Sequence, residues 1–276
     1  IHLCSSCFCK VIMFDLEEKV VLITGGARGI GFSCAKEILR TGARGISIVD
    51  VNETNGRAAV KELTEEFGPN RVIFVKTDVT KQDQLEEAFK ETLSAWKTID
   101  ILINNAGIFN DKQYELEIAI NATALVRGTL LGMQYMSKEK GGNGGVIVNM
   151  ASTLGLHPSA SHPIYAGTKS FIIGFSRSMG TPHHYNRSGI RVVTVCPSFT
   201  VTPLSDPSLS SDESFLSPDL RQLYIEQSIN KIKQPPEIVA SCVIHCIKEA
   251  ETGSVWVAES NEHYQIIIPE RKDLRK

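Results

Sequence analysis

A chain of 276 residues with 42% hydrophobic content holds enough apolar material for one large α/β domain or two small ones. A net charge of −2 and the lack of a long Lys/Arg block leave no electrostatic footprint for nucleic acid or an anionic membrane. No run of about eighteen apolar residues occurs, so the sequence supports no membrane-spanning helix.

The chain opens on "IHLCSSCFCKVI", where His2, Cys4, Cys7 and Cys9 are soft metal ligands by type. A metal site needs a fold around it, so residues 1–12 are expected to be a disordered or non-native leader and no metal is expected. A truncated signal peptide is the competing reading, and it would place the protein outside the cytosol. Seven cysteines are an odd number, and Cys34, Cys196, Cys242 and Cys246 show no framework spacing, which fits a reducing, cytoplasmic compartment. Cys242 and Cys246, four apart around His245, read as core residues of a helix rather than ligands.

From Met13 onward, short Val/Ile-rich runs alternate with helical patterns, the signature of βαβ units and a parallel sheet. The runs are "VVLIT" (20–24), "GISIVD" (45–50), "RVIFVKT" (71–77), "DILIN" (100–104), "GVIVNM" (145–150), "IRVVTVC" (190–196) and "SVWVA" (254–258). Between them lie segments such as "QLEEAFKETLSAW", with Leu85, Ala88, Phe89 and Leu93 at helical spacing. The expected architecture is one Rossmann-type, doubly wound α/β domain over 13–276, a seven-stranded mostly parallel sheet flanked by helices. The Ser/Pro-rich stretch 202–218 is expected to be a mobile loop.

The first strand runs into "TGGARGIG" (24–31), a GxxxGxG turn formed by Gly25, Gly29 and Gly31 around Arg28 and Ile30. Such a turn lets backbone amides meet a pyrophosphate at a helix N-terminus, although glycine turns also serve plain helix packing. Asp50 ends the second strand, where a carboxylate accepts hydrogen bonds from a ribose 2′-hydroxyl and repels a 2′-phosphate. NAD is therefore expected over NADP, with Arg28 as the competing cue for a phosphate.

Several motifs then agree in order. "TGGARGIG", "DVT" at 78–80, "NNAG" at 104–107, and Asn121, Ser152, Tyr165 and Lys169 together give residues from Met13 to about Pro269 a resemblance to the short-chain dehydrogenase/reductase family. Within it, "LGMQYMSKEKGGNGGVIVNMAS", "SGIRVVTVCPSF" and "GSVWVAE" most resemble NAD-dependent 15-hydroxyprostaglandin dehydrogenases and insect-type alcohol dehydrogenases. The resemblance implies Asn121, Ser152, Tyr165 and Lys169 as the catalytic set. It further implies cofactor contacts at Asp78, Val79, Asn105, Ala106, Gly107, Pro197, Thr200 and Thr202, with Lys169 on the nicotinamide ribose and Asn121 ordering a proton-returning water chain.

The chemistry fits these residue types. Pro163 suits a first helical turn, so Tyr165 and Lys169 project from one face, one turn apart. A tyrosine has a pKa near ~10, and a neighbouring ammonium and an oxidised nicotinamide both favour its phenolate. Tyr165 would then take the alcohol proton, and Ser152, ending the fifth strand, would hydrogen-bond the substrate oxygen. The alternatives are a solvated helix face for Tyr165 and Lys169 and a cap for Ser152. His162, three residues before Tyr165, reads either as a substrate-pocket donor or as a helix N-cap. His183 and His184 read as structural residues at a helix end.

Two departures leave room for an impaired enzyme or an NAD-binding storage homologue. Ser198 replaces the family's glycine after Pro197, and Pro182 should disturb the helix following Lys169. The expected partner is a small alcohol or carbonyl substrate, a hydroxy lipid or a small primary or secondary alcohol. A homodimer is also expected, because the helices around residues 118–136 and 165–179 are apolar over more than one stripe. Ala122, Leu125, Thr129 and Gly132 form one stripe and Ile118, Val126, Leu130 and Met133 another, with Gly128, Gly132, Gly167 and Gly174 permitting close approach of a second subunit.

Overall fold

All seven Val/Ile-rich runs form strands in the computed structural model, which describes residues 13–204, 214–229, 232–269 and 271–275. The expected leader with His2, Cys4, Cys7 and Cys9, and residues 205–213 of the expected mobile loop, lie outside the described residues. The strands are β1 (Val20–Thr24), β2 (Gly45–Asp50), β3 (Val72–Lys76), β4 (Ile101–Asn104), β5 (Gly145–Met150), β6 (Ile190–Pro197) and β7 (Val255–Glu259). An eighth, β8 (Glu262–Ile266), corrects the expected count. The sheet order is β3-β2-β1-β4-β5-β6-β7-β8, parallel throughout except for the antiparallel β7–β8 hairpin. β8 reads "EHYQI" and is largely exposed, so it lacks the continuous apolar run that marks a strand buried on both faces.

Alternation along the strands divides the core. Val21, Ile23, Ile101, Ile103, Val146 and Val148 face one side, where they meet Cys34 and Ile38 of α1 (Gly29–Arg40) and Val239, Val243 and Cys246 of α9 (Pro236–Glu249). Leu22, Leu102, Ile147 and Val192 face the other, against Leu85 and Phe89 of α3 (Gln82–Trp96) and Leu131 of α5 (Leu125–Tyr135). The helix α2 (Glu53–Phe67) joins the first layer through Leu63. Cys34, Cys196, Cys242 and Cys246 are free thiols and fully buried.

A long helical run precedes β5: α4 (Tyr114–Ile118), a π turn over Ala119–Ala124, and α5. Asp111–Tyr135 is also the one helical stretch among the described residues long and apolar enough to cross a membrane. Here it presses on the sheet. A Cβ on Gly128 would lie 2.3 Å from Asn104 Oδ1, and one on Gly132 would lie 2.8 Å from Ile147 Cδ1. Those two glycines therefore serve packing within the chain, which corrects the reading that they admit a second subunit. Ala122, Leu125, Thr129 and Gly132 are the buried stripe, while Ile118 and Leu130 are exposed.

The helix α6 (Pro163–Met179) starts with proline in its first turn, as expected, and ends at Gly180. Pro182 then opens a separate short helix, α7 (Pro182–Ser188), so it does not disturb α6. That places His183 and His184 in a first turn rather than at a carboxyl end, where Arg187 stands instead. The last helix before α9 is α8 (Pro218–Ile229).

Candidate active site

Strand order reverses between β1 and β4, and the carboxyl ends of both strands open into the crevice where such sheets bind ligands. The glycine turn fills that point. Gly25 has φ of 64°, and a Cβ there would fall 2.9 Å from Ala106 Cα. A Cβ on Gly31 would fall 2.4 Å from the Gly25 carbonyl oxygen. No side chain larger than hydrogen fits either place. Asn105 ties the turn to β4 by donating from Nδ2 to the carbonyls of Thr24 (3.1 Å) and Gly25 (3.0 Å). The Thr24 hydroxyl accepts from the backbone of Asn105 and Ala106.

Asp50 stands beside this turn. Its Oδ2 accepts from Ala27 N at 3.2 Å and its Oδ1 from Asn52 N at 3.0 Å. Arg28 is exposed at the start of α1, and Gly29 lies against Thr202. Asp78 holds the turn after β3 by accepting from the backbone and hydroxyl of Thr80 (2.9 and 2.7 Å), while Val79 packs into the core.

A cavity of 570 Å³ continues from the crevice, a size suited to a small organic ligand. Ile30, Asn105, Gly107, Ser152, Tyr165, Lys169, Pro197, Thr200 and Thr202 all line it, as does Ser198. Ser152 is the residue just past β5 that accepts from Leu154 N at 3.2 Å, so it serves as a cap and also faces the cavity. Tyr165 and Lys169 leave α6 one turn apart, with Lys169 Nζ 5.4 Å from the Tyr165 ring centre and donating to the Met150 carbonyl at 3.0 Å.

Burial governs the electrostatics. It pushes Tyr165 well above the usual tyrosine range, with Glu117 adding to the rise and the Ser152 hydroxyl opposing it. It pushes Lys169 down to about 8, against the pull of Cys196 and Glu117. The protein alone thus does not favour the phenolate that the ammonium was expected to favour, because desolvation is the largest influence on the phenol.

Asn121 sits on the π turn, buried, with Oδ1 accepting from Ile108 N and Nδ2 donating to Ile108 O, both at 2.9 Å. It backs the site rather than lining the cavity. π turns recur at functional sites. His162 is a correction: it is fully buried and stacks on Phe109 at 3.7 Å, with Phe215 and Tyr224 around it, behind the cavity wall. As the N-cap of α6 it makes no side-chain capping bond. His157 lines the cavity instead, together with Phe109, Leu154, Leu156, Phe199, Tyr224, Val257, Glu259, Tyr264 and Ile266. These come from loops, from α8 and from the β7–β8 hairpin, and no spacing in the sequence marked them.

A doubly wound sheet with a glycine turn at its switch point, and a hydroxyl, a phenol and an ammonium on one cavity, defines an oxidoreductase of the dinucleotide-binding class. Comparison with known proteins agrees. Residues 19–213 match the family described as short chain dehydrogenase, and the chain belongs to that family. It is 41% identical to a 15-hydroxyprostaglandin dehydrogenase [NAD(+)] of Mus musculus over 199 residues, 72% of this chain and 73% of that protein. It is 34% identical to alcohol dehydrogenase 1 of Ceratitis cosyra over 244 residues, 88% of this chain and 93% of that protein. In fold it is similar to levodione reductase, with a TM-score of 0.73 and 24% identity over 88% of this chain and 96% of that one. A 3-ketoacyl-(acyl-carrier-protein) reductase from Brucella melitensis, complexed with NADH, gives 0.72 at 24% identity over 88% and 97%.

Proposed function

We propose that this protein oxidises an apolar alcohol to its carbonyl with NAD, Tyr165 acting as the base. The observation that carries this is the meeting of Ser152, Tyr165 and Lys169 on the wall of the same cavity that Asn105, Gly107 and Thr202 reach from the glycine-turn side. The residues fit NAD. Gly25 and Gly31 close the turn so tightly against Ala106 and Asn105 that only glycine fits, which brings its backbone to the crevice, and Asp50 still has lone pairs for a ribose hydroxyl after accepting from Ala27 and Asn52. Asp50 also disfavours a 2′-phosphate. NAD, when bound, supplies the hydride acceptor and a positive charge beside the alcohol.

The chain's own residues handle the proton. Ser152 Oγ donates to the substrate oxygen and steadies the charge developing there. Tyr165 Oη takes the alcohol proton, helped by the Ser152 hydroxyl, which opposes the rise of the phenol's pKa, and by the Lys169 ammonium one turn away. Lys169, held on Met150 O, would also donate to the nicotinamide ribose, and Asn121, held on Ile108, supports the wall behind them. Leu154, Leu156, Phe109, Phe199, Val257 and Ile266 make the substrate end apolar, which suits a hydroxy lipid such as a 15-hydroxyprostaglandin or a small primary or secondary alcohol.

The test is NADH formation across a panel of such alcohols, repeated with NADP. The expected outcome is turnover with NAD far above that with NADP; parity between the two would make Arg28 the stronger determinant. The second reading, an NAD-binding homologue with impaired turnover, keeps one support, the Ser198 side chain on the cavity wall. NAD binding without oxidation of any alcohol would favour it.

A further inference from the structure

Behind the cavity wall lie two carboxyl groups that the reaction above does not use. Asp111 and Glu117 are both fully buried. Asp111 spreads its oxygens over the first turn of α6, Oδ2 accepting from Ile164 N at 2.8 Å and Oδ1 from Tyr165 N at 3.0 Å. These are N–H groups that a helix leaves unpaired, at the end where its dipole favours an anion. Glu117 is differently placed. Its Oε1 accepts from Asn110 N at 2.8 Å, and its Oε2 makes no hydrogen bond among the described residues. The ionisable groups acting on Glu117 are Asp111 and Lys169, and Glu117 in turn acts on Tyr165 and Lys169 of α6. Two neighbouring buried carboxyls do not both ionise, and the one with two backbone donors at a helix N-terminus keeps the charge.

We propose that Asp111 and Glu117 are a positioning pair for Tyr165: ionised Asp111 fixes the backbone of the turn that carries the phenol, and Glu117 stays protonated so that no second buried anion opposes the phenolate. This rests on Tyr165 being the base. Burial pushes Glu117 up to about 8, with the Asp111 charge adding to the rise and the Asn110 N–H and Lys169 opposing it. Ionising Glu117 places a negative charge beside Tyr165, so oxidation falls on the alkaline side, where a lone tyrosine base would keep gaining. The linkage has a definite sign. The folded protein holds the Glu117 proton up to about 8, against 4.5 for an ordinary glutamate, so stability falls as pH rises between those values and is level beyond.

The experiment compares the wild-type protein with Glu117→Gln and Asp111→Asn. It measures kcat and kcat/KM for one alcohol, the thermal midpoint from about pH 5 to about pH 9, and NADH binding by fluorescence. In the wild type, kcat/KM has a descending alkaline limb that Glu117→Gln lacks. The midpoint of Glu117→Gln gains on the wild type as pH rises from about 5 to about 8. Asp111→Asn lowers kcat by about tenfold or more while NADH still binds, since the misplaced turn touches the proton acceptor and not the nucleotide end. A descending limb that survives in Glu117→Gln, or a wild-type kcat in Asp111→Asn, overturns the pair. Should no alcohol be turned over, the reading of Tyr165 fails by itself. A midpoint gap that then stays constant with pH also overturns the pair, because that measurement needs no turnover.

Discussion

Tyr165 is the residue whose surroundings say most about the reaction. Tyr165 is 8% exposed, and burial is the largest of the influences that hold its phenol protonated. Tyr165→Phe removes the proton acceptor and preserves the ring that packs edge-on to Phe109 at 4.6 Å. The expected result is a loss of about 10²-fold or more in alcohol oxidation with NADH binding nearly intact. Steady-state kinetics and fluorescence titration check it, and substantial residual turnover would remove Tyr165 from the role. Much of this arrangement was legible from residues alone. A tyrosine and a lysine four apart after a proline share a helix face whatever the fold, and Ser152 follows an apolar strand. The direction of the Tyr165 shift was not legible, because desolvation depends on Phe109, Tyr224 and the buried Glu117, which arrive from other segments. His162 failed for the same reason: its place in the sequence suggested the pocket, and its aromatic neighbours took it behind the wall.

At the level of elements, the sequence was most informative where a strand is buried on both faces. Each of β1 to β7 reads as a continuous apolar run, and each was expected. β8 has a solvent face and a charged, polar sequence, so only its pairing with β7 through register pairs such as Val257 with Tyr264 reveals it. Pro182 shows the reverse error. A proline that would break a continuing helix is harmless once Gly180 has already ended α6 and a new helix begins. The tight seat of α5 also escaped the sequence, since glycines within a helix do not announce which neighbour they admit. That seat is testable. Gly128→Val forces a side chain into the Asn104 carboxamide, which is itself bonded to Thr129 and Asn149. Overpacking of this kind costs about 1–3 kcal/mol, read as a lower midpoint in thermal or urea unfolding. An unchanged midpoint would show that α5 moves outward freely.

For the molecule as a whole, the outer surface of α4, α5 and α6 stands out. Leu130 is 53% exposed and Phe171 48% exposed, Ile118 lies exposed on α4, and the Gly167 and Gly174 positions look onto open space. We propose that this face joins two copies of the chain, and light scattering should give about twice the 30.3 kDa chain mass. Leu130→Glu combined with Phe171→Glu should return it to one chain mass, and a wild-type monomer at micromolar concentration would refute the proposal. The four buried thiols carry a different consequence. Cys34 packs in the α1–α9 contact with Cys242, and Cys196 lies on β6 near Lys169; burial holds the Cys34 and Cys196 thiols protonated. A protonated, enclosed thiol does not react with an alkylating reagent, so labelling at these positions proceeds only when the surrounding element opens. They are clocks built into the chain. Labelling of Cys34 and Cys242 should time the separation of two helices, labelling of Cys196 the parting of the sheet beneath the site, and NAD should slow whichever opening it must precede.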